Sequence, residues 1–506
     1  MNRCFFRKEL STGLLLAVVS LLANQSGRAQ IAACVPCEQM QHLHLPEVTI
    51  HTATLVEPGE GDPVPGRPHC RVLGVIGREI QFELLLPSDF NGRFVMSGGG
   101  GFVGGVSNGL RGLTDGGYAT AGTDVGHAEP DPSKWATFQM ERQLNFGHMG
   151  IHRTAVVCKN LIARYYGADA AYSYFFGASR GGGQALMEAQ RYPEDFDGII
   201  AGAPAFNWTG FSAKFIQIAQ KMYPDGKLDK PVLGDEQLAL LQSRILEACD
   251  ERDGIRDSIL SDPEGCPFDI ETLPMCGAGA PGPDCFTEAQ LDAIRAVYTP
   301  LVVDGQLIHP GFPFGGEAEP NGWRPWIVGE KGTAGAYPSL HTYFGIETFR
   351  HLIFNDPEWD YATYDFRNLI RDIRYASHYL DATSTDYSAF KARGGKLLIW
   401  HGWADPAVSA LDMLHHYRAV RAADPDVDEY IRVYLLPGVL HGPGRGPDHV
   451  DWLTVMRNWV ENGNAPGEVV ASKRLDGRTV TRAIRPYAPP AEVTPGSDIP
   501  AMRNRQ

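Results

Sequence analysis

YSYFFGASRGGGQALMEAQRYP, residues 172–193, is the stretch whose reading decides the fold. YSYFF is aromatic and β-prone, Gly177 to Gly181 spell G-x-S-x-G, and GGQALMEAQRYP carries good helix formers until Pro193. A strand therefore runs into a tight turn and then into a helix. Glycines two residues either side of Ser179 keep side chains clear of the strained backbone and leave the hydroxyl at the tip of the turn. A second match, Gly105 to Gly109 (GVSNG), follows SGGGGFVG and leads to LRGLTDGGY, so it lacks that context. Ser179 is the candidate nucleophile, and Ser107 reads as a loop residue.

Outward from this turn, short strand-like runs alternate with helical stretches: IQFELLLP, RFVMSG, YATAGTDVG, a helix ending LIARYYG, YSYFFG, a helix to Tyr192, and FDGIIAGAP. That is the rhythm of a mostly parallel α/β sheet. It breaks off after Ala205 into Gly- and Pro-rich loops and scattered helices. It resumes with KLLIWHG, a helix near Leu411 to Ala423, IRVYLLPG and a closing helix VDWLTVMRNWVEN. The expected organisation is a catalytic α/β domain over 30–205 and 393–506, split by a lid over 206–392, because the mature length exceeds what one core usually organises.

A serine hydroxyl needs an imidazole to take its proton, and the imidazole needs a carboxylate to fix its tautomer. Beyond the insertion, KLLIWHGWADP runs off a strand into Asp405, and IRVYLLPGVLHG runs off the next into His441. Both lie past the C-terminal ends of strands, where doubly wound sheets put their chemistry. His401 sits upstream of the acid at the strand end, His415 and His416 fall in a helix, and Asp448 and Asp451 follow the histidine. Asp405 and His441 are therefore the expected partners of Ser179. SGGGGFVGG, after the strand RFVM, supplies bare backbone at Gly100 and Gly101 for an oxyanion, with the N–H of Arg180 as second donor. No G-K-[ST] follows these glycines, which argues against a nucleotide loop.

Of 506 residues, 45 are Lys or Arg and 60 are Asp or Glu, for a net charge of −15. No basic field exists to bind a nucleic acid backbone. The N-terminus carries Arg3, Arg7 and Lys8, then LLLAVVSLLA, then Gly27 and Ala29. This reads as a secretory signal over 1–29 cleaved after Ala29, too short to span a bilayer. Without its four basic residues and one acid the mature chain holds 41 basic against 59 acidic residues. A secreted or periplasmic location is expected. The IAAC ending at Cys34 hints at lipidation, but mostly polar residues separate it from the apolar run, so soluble export is the expectation.

Cys4 leaves with the signal. An oxidising compartment allows disulfides, and spacing suggests Cys37 with Cys70, Cys249 with Cys266 and Cys276 with Cys285. Cys34 and Cys158 remain; Cys158 sits on the apolar face of a helical pattern and reads as a buried free thiol.

NGRFVMSGGGGFVGG, FGASRGGGQALMEAQRYPEDFDGIIAGAPAFNW, ACDERDGIRDSILSDPEGC, LLIWHGWADP and LLPGVLHG, five colinear blocks, make the chain from about Cys37 onward resemble the tannase and feruloyl esterase family. That family includes a bacterial mono(2-hydroxyethyl) terephthalate hydrolase. The resemblance implies an α/β-hydrolase with a large lid, cleaving carboxylic esters of aromatic acids, with Ser179, Asp405 and His441 matching the family triad. Two departures stand out. The family joins a cysteine before the nucleophile to one after the histidine, where this chain has Ala178 and Gly442. A further pair near the C-terminus is missing, with Ala488 at one expected position.

CDERDGIRDSI crowds Asp250, Asp253 and Asp257 around Gly254. Such carboxylates repel unless solvated or neutralised by a hard cation. The resemblance implies calcium here, held by Asp250, Asp253 and Asp257 with the carbonyls of Ile255 and Ile259, in a structural role. Trp208, Trp323, Trp326, Trp359, Tyr343 and Phe344 of the insertion suit stacking on an aromatic acyl group or, equally, packing in a core. A small aromatic ester is the expected substrate, by an acyl-enzyme. The competing readings are an aromatic diacid monoester hydrolase, a hydrolase-fold binding protein without turnover, and a serine peptidase.

Overall fold

A computed structural model describes residues 30–58, 66–277, 282–329, 335–475 and 477–489. The signal reading of 1–29 lies outside these. The described strands are β1 (Val48–Val56), β2 (His69–Ile76), β3 (Ile80–Pro87), β4 (Arg93–Ser97), β5 (Ala119–Thr123), β6 (Tyr172–Ala178), β7 (Gly198–Gly202), β8 (Leu301–Val303), β9 (Gln306–His309), β10 (Lys396–Gly402), β11 (Ile431–Leu436), β12 (Val469–Leu475) and β13 (Arg478–Ile484). Nine of them form one sheet in the order β1-β2-β3-β5-β4-β6-β7-β10-β11. From β5 to β11 every pairing is parallel. This is the expected α/β-hydrolase architecture.

The period-two geometry of a strand sends neighbouring side chains to opposite faces, and the sheet uses both. Phe94, Phe175, Ile199 and Ile399 enter the larger buried cluster, beneath helices Gly150–Tyr166 and Arg180–Arg191. Their neighbours Val95, Tyr174, Ile200 and Leu398 enter a second cluster with Trp452, Met456 and Trp459 of the closing helix Trp452–Asn462. With both faces covered, the central strands read as continuous apolar runs rather than alternating ones.

Three features differ from the expectation. IQFELLLP, taken with the parallel rhythm, is β3, and it pairs antiparallel with both β2 and β5. The Cys37–Cys70 segment, for which only a disulfide is expected, contains β1: VTIHTATLV is rich in β-branched residues and pairs antiparallel with β2, with a register shift between Ile50 and Thr52. The C-terminal hairpin β12–β13 closes on the sheet edge through Tyr487 N–H to Val433 O at 2.7 Å.

Between β7 and β10, neighbours in the sheet, the chain leaves for nearly two hundred residues and adds no strand to that sheet. This insertion carries helices Trp208–Met222, Asp235–Cys249, Glu288–Tyr298, Leu340–Glu347 and Leu369–Leu380, and the small hairpin β8–β9. Part of it shares the sheet's core, since Trp208, Phe211, Leu241, Ile294 and Trp323 belong to the same buried cluster as Phe94 and Ile199, and part forms a cluster of its own around Ile216, Ile346, Phe349 and Leu369.

All three expected disulfides form, Cys37–Cys70, Cys249–Cys266 and Cys276–Cys285. Cys158 is a buried free thiol, and burial pushes it above the usual thiol range. No helix among the described residues is long and apolar enough to cross a membrane.

Candidate active site

Ser179 ends β6 and caps helix Arg180–Arg191 with φ 58° and ψ −123°, a backbone conformation that a non-glycine residue holds only under strain. Its N–H donates to Gly202 O at 2.9 Å, and its carbonyl accepts from Gly183 and Ala205. The glycines around it are demanded by contact. A β-carbon at Gly177 would lie 2.2 Å from Gly181 O, and one at Gly183 would lie 2.1 Å from Ala205 O. The run RGGG therefore lets strand, helix and the next loop close on one another without side chains between them.

His441, on the loop after β11, places Nε2 2.9 Å from Ser179 Oγ and Nδ1 2.8 Å from Asp405 Oδ2. Asp405 follows β10 and its side chain is inaccessible to solvent. Ala407 and Val408 donate backbone N–H groups to its Oδ1 at 2.8 and 3.0 Å. Burial alone would push this carboxyl up, but the facing His441 and hydrogen bonds from His401 and His441 outweigh it and hold it below the ordinary carboxylate range. The three residues expected from chain order thus form one hydrogen-bonded line.

The decoy behaves as expected. Ser107 bridges to Thr123 on β5, and its carbonyl accepts from Ser97 Oγ at 3.0 Å. His415 and His416 lie in helix Ala410–Ala423, where Nε2 of buried His416 is 3.1 Å from Tyr387 Oη. Asp448 pairs with Lys473, and Asp451 caps the closing helix.

The glycine loop after β4 packs directly on the nucleophile helix, for a β-carbon at Gly98 would sit 2.7 Å from Gly181 Cα. Gly99 N–H donates to the buried amide Oε1 of Gln184 at 3.1 Å, and Val103 N–H to Gly100 O at 2.8 Å. Between them Gly100 has open space on its β-carbon side, and Gly101 adopts φ +54° facing the Phe344 ring. Arg180 N–H, first in its helix, has no intrahelical carbonyl to bind. The Arg180 side chain turns the other way: it is buried, donates to the carbonyls of Phe146 and Gly147, and lies over the Phe146 and Trp208 rings.

Sequence reasoning missed two supports of this site. Gln184 pins the glycine loop, and its only signal is a polar residue on a helix face that is otherwise apolar. His401 is fully buried, with Nε2 3.4 Å from Asp405 Oδ2 and 3.0 Å from Val408 O. The six aromatic candidates divide evenly. Trp208 and Trp323 are buried, and Trp359 stacks on Phe349 and Phe354 in the insertion's own cluster. Trp326 stands edge-on to the His441 ring at 5.0 Å, while Tyr343 and Phe344 pack with Phe102 of the glycine loop. All three are half-buried.

Ala178 and Gly442 are both exposed. Gly442 lies outside the left-handed region, and a β-carbon there would meet nothing within 4 Å.

In the acidic loop, Asp253 accepts from Ile255 N–H and Ser261 Oγ. Asp257 accepts from Ile259 N–H and pairs with Arg482 of β13 at 3.0 Å. Asp250 is buried, and its Oδ1 has no hydrogen-bond partner among the described residues. Gly254 (φ 86°) and Ser258 (φ 61°) turn the chain back twice within this stretch. A hard cation fits that orphaned oxygen, with Arg482 already neutralising part of the charge.

A strand, a strained serine and a helix on a mostly parallel sheet, with the carboxylate past the end of β10 and the histidine past the end of β11, define an α/β-hydrolase. The likeness to known proteins is narrower. Residues 68–493 match the family described as tannase and feruloyl esterase, and the chain belongs to that family of carboxylic ester hydrolases. It is 32% identical to an uncharacterised esterase of Xanthomonas campestris pv. campestris, over 94% of this chain and 90% of that one. It is 30% identical to the mono(2-hydroxyethyl) terephthalate hydrolase of Piscinibacter sakaiensis, over 86% and 84%. The crystal structure of feruloyl esterase B from Aspergillus oryzae superposes with a TM-score of 0.77 at 25% identity, covering 89% of this chain and 96% of that one.

Proposed function

We propose that the chain is an exported serine esterase that cleaves carboxylic esters of aromatic acids through an acyl-enzyme. The observation that carries this reading is the hydrogen-bonded line from Asp405 through His441 to Ser179. His441 Nε2 takes the Ser179 proton as Oγ attacks the ester carbonyl, while Asp405 holds Nδ1–H and stabilises the imidazolium. The carbonyl oxygen, now an anion, is received by the N–H of Arg180 and an N–H of Gly100 or Gly101. Collapse expels the alcohol with the proton from His441, and water repeats the sequence to release the acid.

Trp326, Tyr343 and Phe344, half-buried around His441 and Gly101, support an aromatic acyl group, since flat rings offer large contact area at low entropy cost. Relatives that are a mono(2-hydroxyethyl) terephthalate hydrolase and a feruloyl esterase B point the same way. For calcium, Asp250, Asp253 and Asp257 with the carbonyls of Ile255 and Ile259 would hold the ion. It would neutralise the loop, and no catalytic step involves it. The disulfides Cys37–Cys70, Cys249–Cys266 and Cys276–Cys285 support export.

The deciding experiment combines fluorophosphonate labelling with a screen of methyl gallate, methyl ferulate, chlorogenic acid and mono(2-hydroxyethyl) terephthalate, alongside amides. Labelling of the wild type and loss of turnover in Ser179→Ala, with most turnover kept in Ser107→Ala, is the expected outcome. Full activity in Ser179→Ala refutes the nucleophile, and amide preference would make the chain a peptidase. An unlabelled, inactive wild type would leave a binding protein.

A further inference from the structure

Away from the serine, helix Gly150–Tyr166 and the C-terminal end of helix Arg180–Arg191 bring three ligand-type side chains together. A ring nitrogen of His152 and one carboxylate oxygen each from Glu188 and Asp195 lie within 4.8 Å of one another. Two of the three are buried: Glu188 is 1% exposed and Asp195 5%. Glu188 Oε2 has no hydrogen-bond partner among the described residues, and its close neighbour Asp195, itself a carboxylate, has no hydrogen to offer while ionised. An uncompensated buried carboxylate is costly, and the usual resolutions are a paired cation, a metal ion or a proton.

The surroundings narrow the choice. Asp195 Oδ2 is 2.6 Å from His152 Nδ1, and the His152 ring stacks on Tyr192 at 3.9 Å and 9°, which fixes its plane. Tyr192 Oη is in turn 2.6 Å from His148 Nδ1, so a second ring holds the first. The nearby ammonium of Lys159 donates to Glu194 O at 3.3 Å and lies over the Phe196 ring. It forms no ion pair with either carboxylate among the described residues. His152 is partly exposed, its side chain 31% accessible, which leaves a route in from solvent.

We propose that His152, Glu188 and Asp195 bind a divalent cation of the zinc class. One imidazole nitrogen with two carboxylate oxygens is a borderline donor set, suited to Zn²⁺, Co²⁺ or Mn²⁺ rather than to calcium, which takes oxygens only. Three protein ligands leave coordination positions for water. The ion clamps helix Gly150–Tyr166 to the helix that begins at Ser179. Glu188 lies nine residues along that helix, about 13 Å from the serine at 1.5 Å per residue, so the site is structural and does not depend on the esterase reading.

The test uses the full chain, stripped with chelator, exchanged into buffer and titrated with Zn²⁺ and with Co²⁺. One equivalent should bind, cobalt should develop visible d–d absorption, and zinc should raise the melting temperature. Glu188→Gln and His152→Gln should each weaken binding by at least about tenfold, whereas Asp250→Asn in the acidic loop should leave it intact. Should one variant misfold, the other decides. Folded wild-type protein that binds no zinc at millimolar concentration overturns the proposal in favour of a proton shared by the two carboxylates. Undiminished binding in both variants overturns it by placing the ion elsewhere.

Discussion

Asp405 receives four groups at once: two backbone N–H donors on Oδ1, and His441 at 2.8 Å with His401 at 3.4 Å on Oδ2. A carboxyl held below its unfolded value stabilises the fold above the ordinary carboxylate range, and that contribution is lost only as pH falls through the depressed folded value. The Asp405 carboxylate should therefore stay ionised in mild acid. Asp405→Asn keeps the shape but offers His441 Nδ1 an amide, which favours the wrong tautomer. Turnover should fall by roughly 10⁴-fold with the circular dichroism spectrum unchanged; an unchanged rate would move the acid elsewhere. Ser179 was legible because its signal is local, glycines and flanks within twelve residues. His401 was not, because its value comes from facing Asp405 inside the core, and a histidine upstream of the acid looks like a competitor for the same role.

At the scale of elements, the closing helix is tied to the sheet by Glu461, which takes a two-pronged pair from Arg93 at the start of β4, at 2.7 and 2.5 Å, and accepts from Tyr174 Oη of β6 at 2.8 Å. Burial would raise this carboxyl, but the Arg93 and Tyr174 hydrogen bonds win and lower it to about 2. Its stabilisation is thus present above the ordinary glutamate range and lost as pH falls toward 2. Glu461→Gln should cost about 1–3 kcal/mol at pH 7, discounted for partial solvent access. The cost should shrink below pH 4 in urea melts of both proteins, and a pH-independent difference would remove the charge from the account. The loops carrying Ser179 and His441 meet at the hydrogen bond between those side chains, with Ala178 and Gly442 where the resemblance implies a disulfide. Ala178→Cys with Gly442→Cys should oxidise on export, since Gly442 is open and unstrained for a side chain. Closing so long a loop is worth at most about 5 kcal/mol by chain entropy. Two free thiols in folded, active protein on peptide mapping would show that the loops lie out of disulfide range.

For the whole molecule, the insertion shares part of the sheet's core, and the acidic loop at Asp250 is joined through Arg482 to the C-terminal hairpin. If calcium occupies that loop, a calcium chelator should lower the melting temperature by an amount equivalent to about 2–3 kcal/mol at hundredfold saturation. Aspartates replaced at 250 and 253 should abolish that response. No shift and no calcium by elemental analysis would leave Arg482, Ser261 and the loop's own N–H groups as the partners of Asp253 and Asp257 among the described residues.

By itself the sequence determined what short-range physics controls: the elbow at Ser179, the alternating strands and helices, the order of serine, acid and histidine, and cysteine pairs close enough in the chain to find each other. The elbow and the alternation are written in contiguous residues, as a turn and a period, and the other two in order and spacing along the chain. Only the tertiary structure decided which strands run antiparallel, which three of six aromatic residues stand at His441 or the glycine loop, and that Gln184 and His401 brace the site. Strand direction, exposure and facing are set by where distant segments come to rest, and a residue type carries no record of what it will face across a core.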